Sequence, residues 1–210
     1  FVPLVDAHAD PDVRAVKVYL RGRGVSDGMI WRSRLGACKT GRLRRRVIIP
    51  SFDACGDINY WTARAIWEGG KYVNPSANRK SVIFNELDID WDRELMIVEG
   101  PFDMVKAGRN STCLLGSSLA EDSALFQRIV SNQTSVVLAL DPDALRKAHR
   151  IAAKLHARGV SVRFAQLSSG RDVGDMDENQ AWDVRSSAVE WDPLLKLRYS
   201  ISNIHSGSML

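Results

Sequence analysis

Four short apolar runs in the second half of the chain, each separated from the next by a segment of helical pattern, restrict the fold more than any other feature of the sequence. Leu95 to Val98 and Val136 to Leu140 are continuously apolar, the pattern of strands covered on both faces. Thr112 to Leu115 and Val160 to Leu167 supply two more strands, the last alternating Val160, Val162 and Phe164 with polar neighbours. Between them, Pro101 to Ala107 opens with proline at a first helical position, and Leu119 to Val130 carries Leu119, Leu125, Ile129 and Val130 toward the inside. Ala144 to Arg158 places Leu145, Ala148, Ala152 and Leu155 on one face before Gly159 stops it. Repeated β-α-β order implies right-handed crossovers and a parallel, Rossmann-like sheet.

The first half has another texture. Pro11 to Leu20 reads as a helix broken by Gly22 and Gly24, and Ser26 as the N-cap of a second helix through Arg32. Val47 to Ile49 is a β-branched strand stopping at Pro50, Asp53 to Asp57 a turn, and Ile58 to Ile66 a further strand. Gly69 and Gly70 mark a turn, and Lys71 to Asn85 an irregular basic connection. Beyond Met176 the sequence predicts one packed helix bearing Trp182, Trp191, Leu194, Leu195 and Leu197, then a polar tail. The whole is an α/β chain: residues 1–90 form a small basic α+β subdomain, 91–176 the parallel-sheet domain, and 177–210 a C-terminal helix and tail.

Charge divides along the same line. The formal net charge is +4, but Pro11 to Lys80 holds 15 Lys and Arg against 5 Asp and Glu, a net of +10, and the remainder holds 14 against 20, a net of −6. A basic half suits a polyanion and an acidic half suits metal chemistry, although unevenly solvated faces would give the same count. The longest apolar run is five residues, Val136 to Leu140, far short of a bilayer span. Cys38, Cys55 and Cys113 form no CxxC or CxxH pair, so no zinc site is expected within the chain and a reducing, cytoplasmic compartment fits. Phe1 to Val5 lack the basic start and apolar stretch of a signal peptide; with Phe1 in place of an initiator methionine, they suggest a segment of a longer chain.

In a parallel α/β sheet, ligands gather beyond the carboxyl ends of the strands, and three of those ends carry acids. The first strand runs into Glu99 and Asp103, the third into Asp141-Pro142-Asp143, and the fourth is followed by Gly170-Arg171-Asp172-Val173-Gly174-Asp175. Taken singly, these acids have ordinary readings as helix caps, turn formers or solvated loops. Taken together, they would repel one another unless a cation neutralised them. Mg²⁺ suits such a site, since it is held by a few carboxylates plus substrate phosphates. Two such ions can activate a hydroxyl nucleophile and stabilise a leaving pyrophosphate.

The span from about Glu94 to Met176 resembles a Toprim domain, the catalytic fold of DnaG-type primases, type IA and II topoisomerases and some nucleases. Glu99, Asp141 and Asp143 match its invariant acids. Upstream, Tyr19-Leu20 with Arg21-Gly22-Arg23-Gly24-Val25, then Arg46-Val47-Ile48-Ile49-Pro50, Thr62-Ala63-Arg64, Lys71-Tyr72-Val73-Asn74-Pro75 and Ile83-Phe84-Asn85 are similar to the basic N-terminal subdomain of bacterial and phage DNA primases. The resemblance covers about residues 17 to 176. It implies a nucleotidyltransferase that copies single-stranded DNA into a short RNA primer, with two or more Mg²⁺ or Mn²⁺ ions held by Glu99, Asp141 and Asp143 and supported by Asp103, Asp172 and Asp175. Asp175 departs from the pattern, standing one position further from Asp172 than in the bacterial enzymes.

By the same resemblance, Arg46, Arg64, Lys71, Asn74 and Lys80 line a template and nucleotide groove. It implies ribonucleoside triphosphates as substrates, a replicative helicase and a separate zinc-binding module as partners, and a bacterial or phage-infected cell. A Toprim nuclease or topoisomerase fragment would use the same acids, and a non-catalytic nucleic-acid-binding module only the basic half. Several residues stay open between two roles: Arg44 and Arg45 between a solvated turn and a phosphate clamp, and Tyr60, Trp61 and Trp67 between base stacking and core. His8 and Asp10 make no ligand set, and His149 and His156 read as the flank of a helix.

Overall fold

The computed structural model describes residues 1–6, 9–116, 118–165, 167 and 172–194, in two sheets. The first is antiparallel, in the order β1 (Val2–Pro3), β2 (Gly36–Ala37), β3 (Arg46–Phe52), β4 (Ile58–Ala65). Helices α1 (Pro11–Gly22) and α2 (Asp27–Arg32) lie between β1 and β2 in the chain. The Asp10 carboxylate caps α1 by accepting from the Asp12 and Val13 N–H groups, and Pro11 fills the first helical position. Ser26 caps α2 through the Met29 N–H, as the sequence indicates. The β3–β4 hairpin closes on Asp53, whose carboxylate accepts from the Cys55 and Asp57 N–H groups at 2.9 and 3.0 Å.

Strand β3 runs on through Pro50 to Phe52 where the sequence indicates a stop. Its pairing with β2 is confined to Gly36 opposite Ile48. Beyond that point β3 has no strand partner on that side among the described residues, and a residue without an N–H is tolerated there.

The second sheet comprises β5 (Leu95–Val98), β6 (Ser111–Cys113), β7 (Val136–Ala139), β8 (Val162–Phe164) and β9 (Val189–Glu190), in the order β6-β5-β7-β8-β9. The first four are parallel and β9 is antiparallel to β8. Helices α3 (Pro101–Ala107), α4 (Ala124–Asn132) and α5 (Leu145–His156) connect the parallel strands. Strand alternation sends Met96 and Val98 into one core and Leu95 and Ile97 into the other. The first core is shared with the basic half, where Val16, Leu20, Ile49 and Tyr60 meet Val98, Phe102 and Ala139. The second lies under α4 and α5 and contains Phe126, Ile151 and Leu155. Each large apolar side chain fully buried there contributes about 1.5–3 kcal/mol.

Two elements differ from the sequence expectation. The fourth helix begins at Ala124 because Ser123 takes the N-cap position, accepting from the Phe126 N–H. The C-terminal segment is a helix, α6 (Glu178–Ser186), followed by the edge strand β9 rather than by more helix. Trp191, just past β9, is buried and donates from Nε1 to His149 Nδ1 at 3.0 Å. His149 is itself buried and stacked on Phe164, so it belongs to the core and not to an exposed flank. Leu195, Leu197 and His8 lie outside the described residues. No helix among the described residues is long and apolar enough to cross a membrane.

Candidate active site

The strand order fixes where chemistry can sit. The chain leaves β5 for β6 on one side and returns to β7 on the other, so a crevice opens at the carboxyl ends of β5 and β7. Val98 and Ala139 are paired across those two strands, which sets Glu99 beside Asp141. A cleft of about 450 Å³ lies there, with Glu99, Asp103, Asp141 and Asp172 among its walls. From the basic half, Thr62, Arg64, Tyr72, Asn74 and Arg79 complete it. Acids from two β-α junctions and a later loop thus face a basic and polar wall from the other sheet.

The acids are poorly compensated. Burial above all, then the charges of Asp141, Asp172 and Glu99, pushes the Asp103 carboxyl up to about 7, against a bond from the Gly100 N–H at 2.9 Å that lowers it. Asp141 is pushed up to about 6, by burial and then by Glu99 and Asp172. Glu99 Oε2 and Asp172 Oδ1 are buried with no hydrogen-bond partner among the described residues. Among the described residues, Glu99 alone of the four pairs with a cation, its Oε1 lying 2.6 Å from Lys147 Nζ.

Hard carboxylate oxygens left without donors fit a divalent cation. No group of three or more acids, histidines or cysteines among the described residues is already gathered as a ligand cage.

The uncompensated charge gives a stability prediction. Asp103 holds its proton more tightly folded, at about 7, than at its ordinary value of 3.8. Raising the pH across that interval therefore removes stability, and the loss is complete above about 7. In EDTA, Asp103→Asn should melt several degrees above the unsubstituted protein at pH 8, with the difference shrinking toward pH 4. A pH-independent difference would mean that the Asp103 charge is not what costs stability.

The remaining sequence candidates are distributed around the cleft. Asp143 is exposed in the turn after β7, and Asp175 is exposed and paired with Arg23 at 3.0 Å. Neither lines the cleft. Arg64 does, and it is held firmly: Nε donates to the Tyr19 hydroxyl at 2.9 Å, Nη1 donates to the Tyr72 hydroxyl, and the guanidinium lies 4.9 Å from the Phe102 ring centroid. The Asn74 side-chain oxygen accepts from the Thr62 hydroxyl at 2.7 Å. Lys71 is exposed, and Lys80 lies in an adjoining pocket with its ammonium on Asp122 at 2.6 Å.

Arg46 is buried behind the cleft, where it donates to the Lys71 carbonyl at 2.6 Å and stacks over Trp67. Arg44 and Arg45 both engage Asp12 at the start of α1. Tyr60 is core, edge-on to Phe84.

Sequence reading missed Arg79, Tyr72 and Lys147. Lys147 did leave a local signal. It stands in the first turn of α5, where the helix dipole favours acids and the sequence supplies none.

No family model matches the chain, and none of the curated proteins matches it in sequence. Solved structures do. A DNA primase domain from Pseudomonas aeruginosa is similar with a TM-score of 0.71 and 21% identity, over 98% of this chain and 80% of that one. The RNA polymerase domain of Mycobacterium tuberculosis primase DnaG gives 0.71 and 16% identity, over 95% and 83%. A DnaG primase catalytic domain bound to single-stranded DNA gives 0.70 and 19% identity, over 87% and 74%. The chain has the fold of the DnaG primase catalytic domain.

Proposed function

We propose that this chain is the catalytic core of a DNA primase, which copies a single-stranded DNA template into a short RNA primer. The observation that carries this reading is the cleft itself: Glu99, Asp103, Asp141 and Asp172 face Arg64, Asn74 and Arg79 in a fold shared with primase catalytic domains. One similar structure holds single-stranded DNA and another holds a DNA duplex.

Glu99, Asp141 and Asp143 would hold Mg²⁺ or Mn²⁺, with Asp103, Asp172 and Asp175 in support. Two such ions supply charge neutralisation and an activated hydroxyl in nucleotidyl transfer. The chain's own residues position the reactants. Arg64 is preorganised by Tyr19 and Tyr72 and meets an anionic phosphate without further ordering, since a fixed guanidinium loses little freedom on binding. Arg79 and Asn74 lie on the same wall, and Lys71 and Lys80 extend the positive field along the template path; Arg46 supports that wall from behind. Phosphate contacts of this kind hold a template without reading its sequence.

The bond that forms joins the primer 3′-oxygen to the α-phosphorus of an incoming ribonucleoside triphosphate, and the bond to the pyrophosphate leaving group breaks. A replicative helicase, and a zinc-binding module upstream or on another chain, are the partners this activity calls for. An assay with single-stranded DNA, labelled ribonucleotides and Mg²⁺ or Mn²⁺ tests the reading. RNA products mean a primase; shortened DNA would instead mean a Toprim nuclease, and binding without turnover a non-catalytic module.

A further inference from the structure

Among the cleft's four acids, Glu99 is distinguished by what it touches. Lys147 approaches from the first turn of α5, its ammonium 2.6 Å from Glu99 Oε1, and the lysine side chain is only 12% exposed. A cation at a helix N-terminus opposes the helix dipole, so local helix chemistry does not explain its place. The compensation comes from Glu99, which projects from a different β-α junction. The other Glu99 oxygen, Oε2, is buried and accepts from no donor among the described residues. Lys147 thus satisfies one oxygen of a cleft-lining carboxylate whose other oxygen is left without a donor among the described residues. The Lys147 charge also reaches Asp141, where it partly offsets burial and the neighbouring acids, but neither Asp141 nor Asp172 forms an ion pair among the described residues.

We propose that Lys147 is the resident counter-cation of this cleft. It holds Glu99 in place and charged while no divalent ion is bound, and it gives up that carboxylate when one arrives. Cation loading and release of the Lys147–Glu99 pair are then a single coupled event. The pair sets a threshold: it keeps the cleft from loading at low cation concentration, and it keeps a set of mutually repelling acids folded when the cleft is empty. The inference deepens the proposed function, because it concerns the same cation site.

The physical alternative is a permanent bridge, in which Lys147 merely orients Glu99 as a ligand. The two ideas differ in sign. If Lys147 competes with the cation, removing its charge tightens cation binding; if it orients a ligand, removing it weakens binding.

The test is Mn²⁺ binding, followed by electron paramagnetic resonance and by the Mn²⁺-dependent rise in melting temperature, with no nucleotide or DNA present. Lys147→Met removes charge and hydrogen bond, and Lys147→Gln removes the charge while keeping a donor to Glu99. The expected result is about tenfold tighter Mn²⁺ binding in both variants, equivalent to about 1.4 kcal/mol. In EDTA the melting temperature should fall, and Mn²⁺ should restore it to the level of the loaded parent. Should Lys147→Met fail to fold, Lys147→Gln decides alone. Unchanged or weaker Mn²⁺ binding in the folded variants overturns the inference and leaves the proposed function standing. Absence of any Mn²⁺ binding by the parent protein overturns both.

Discussion

Asp141→Ala is expected to lower Mg²⁺-dependent primer synthesis by about 1,000-fold or more while leaving the protein folded. The magnitude follows from the several kcal/mol of charge stabilisation that a bound divalent ion supplies to phosphoryl transfer, at 1.36 kcal/mol for each tenfold in rate. The fold should survive because Asp141 is only partly buried, its side chain makes no described hydrogen bond or ion pair, and its backbone bond to the Ala144 N–H is kept in alanine. Its carboxyl is pushed up to about 6 by burial and by Glu99 and Asp172, so its charge opposes the folded state at neutral pH. Without Mg²⁺ the variant should therefore melt no lower than the parent, and Mg²⁺ should raise its melting temperature less. Glu99→Gln should match the loss of synthesis, since an amide keeps the shape but not the charge. Full primer synthesis by either purified variant would sink the assignment of these acids to the cation.

Gly174→Ala should cost about 100-fold in kcat/KM and lower the melting temperature by only a few degrees, although Gly174 carries no chemistry. A methyl group there would stand 2.7 Å from Asp103 Oδ1 and 3.1 Å from Asp172 Oδ1. Asp103 cannot easily turn aside, because its other oxygen accepts from the Gly100 N–H at the start of α3. Either that cap breaks or the loop carrying Asp172 moves outward. A displacement near 1 Å at a catalytic group costs about 100-fold in rate. Gly22→Ala is the control. A Cβ at the end of α1 meets nothing within 4 Å, and activity should be unchanged. Equal activities of the Gly174→Ala and Gly22→Ala proteins would show that the close approach of the loop to Asp103 is dispensable.

The parts legible in the sequence are those whose signal is local. The continuous apolar runs at Leu95–Val98 and Val136–Ala139, Pro101 opening α3, and the Ser26 cap all follow from neighbours a few residues away. The edge strand Val189–Glu190 left no such trace. Its two residues are strand only because they pair with Arg163 and Phe164, and pairing across such a distance overrides local preference. His149 shows the same limit: a polar residue on an amphipathic helix reads as a flank until Trp191 and Phe164 close over it.

The sequence by itself determined the alternation of strands and helices, the division of charge, and the acids that follow the strands, because spacing and composition carry that information along the chain. Which acids share a cleft was decided by the tertiary structure. Strand order sets Glu99 beside Asp141, and the loop at Gly174 brings Asp172 to Asp103, whereas Asp143 and Asp175 stay exposed. The two halves share one core, so the cleft's basic wall depends on packing between residues far apart in the chain. Through-space charge has no fixed spacing in sequence. Lys147 therefore became visible as a partner of Glu99 only when the fold placed an ammonium against that carboxylate.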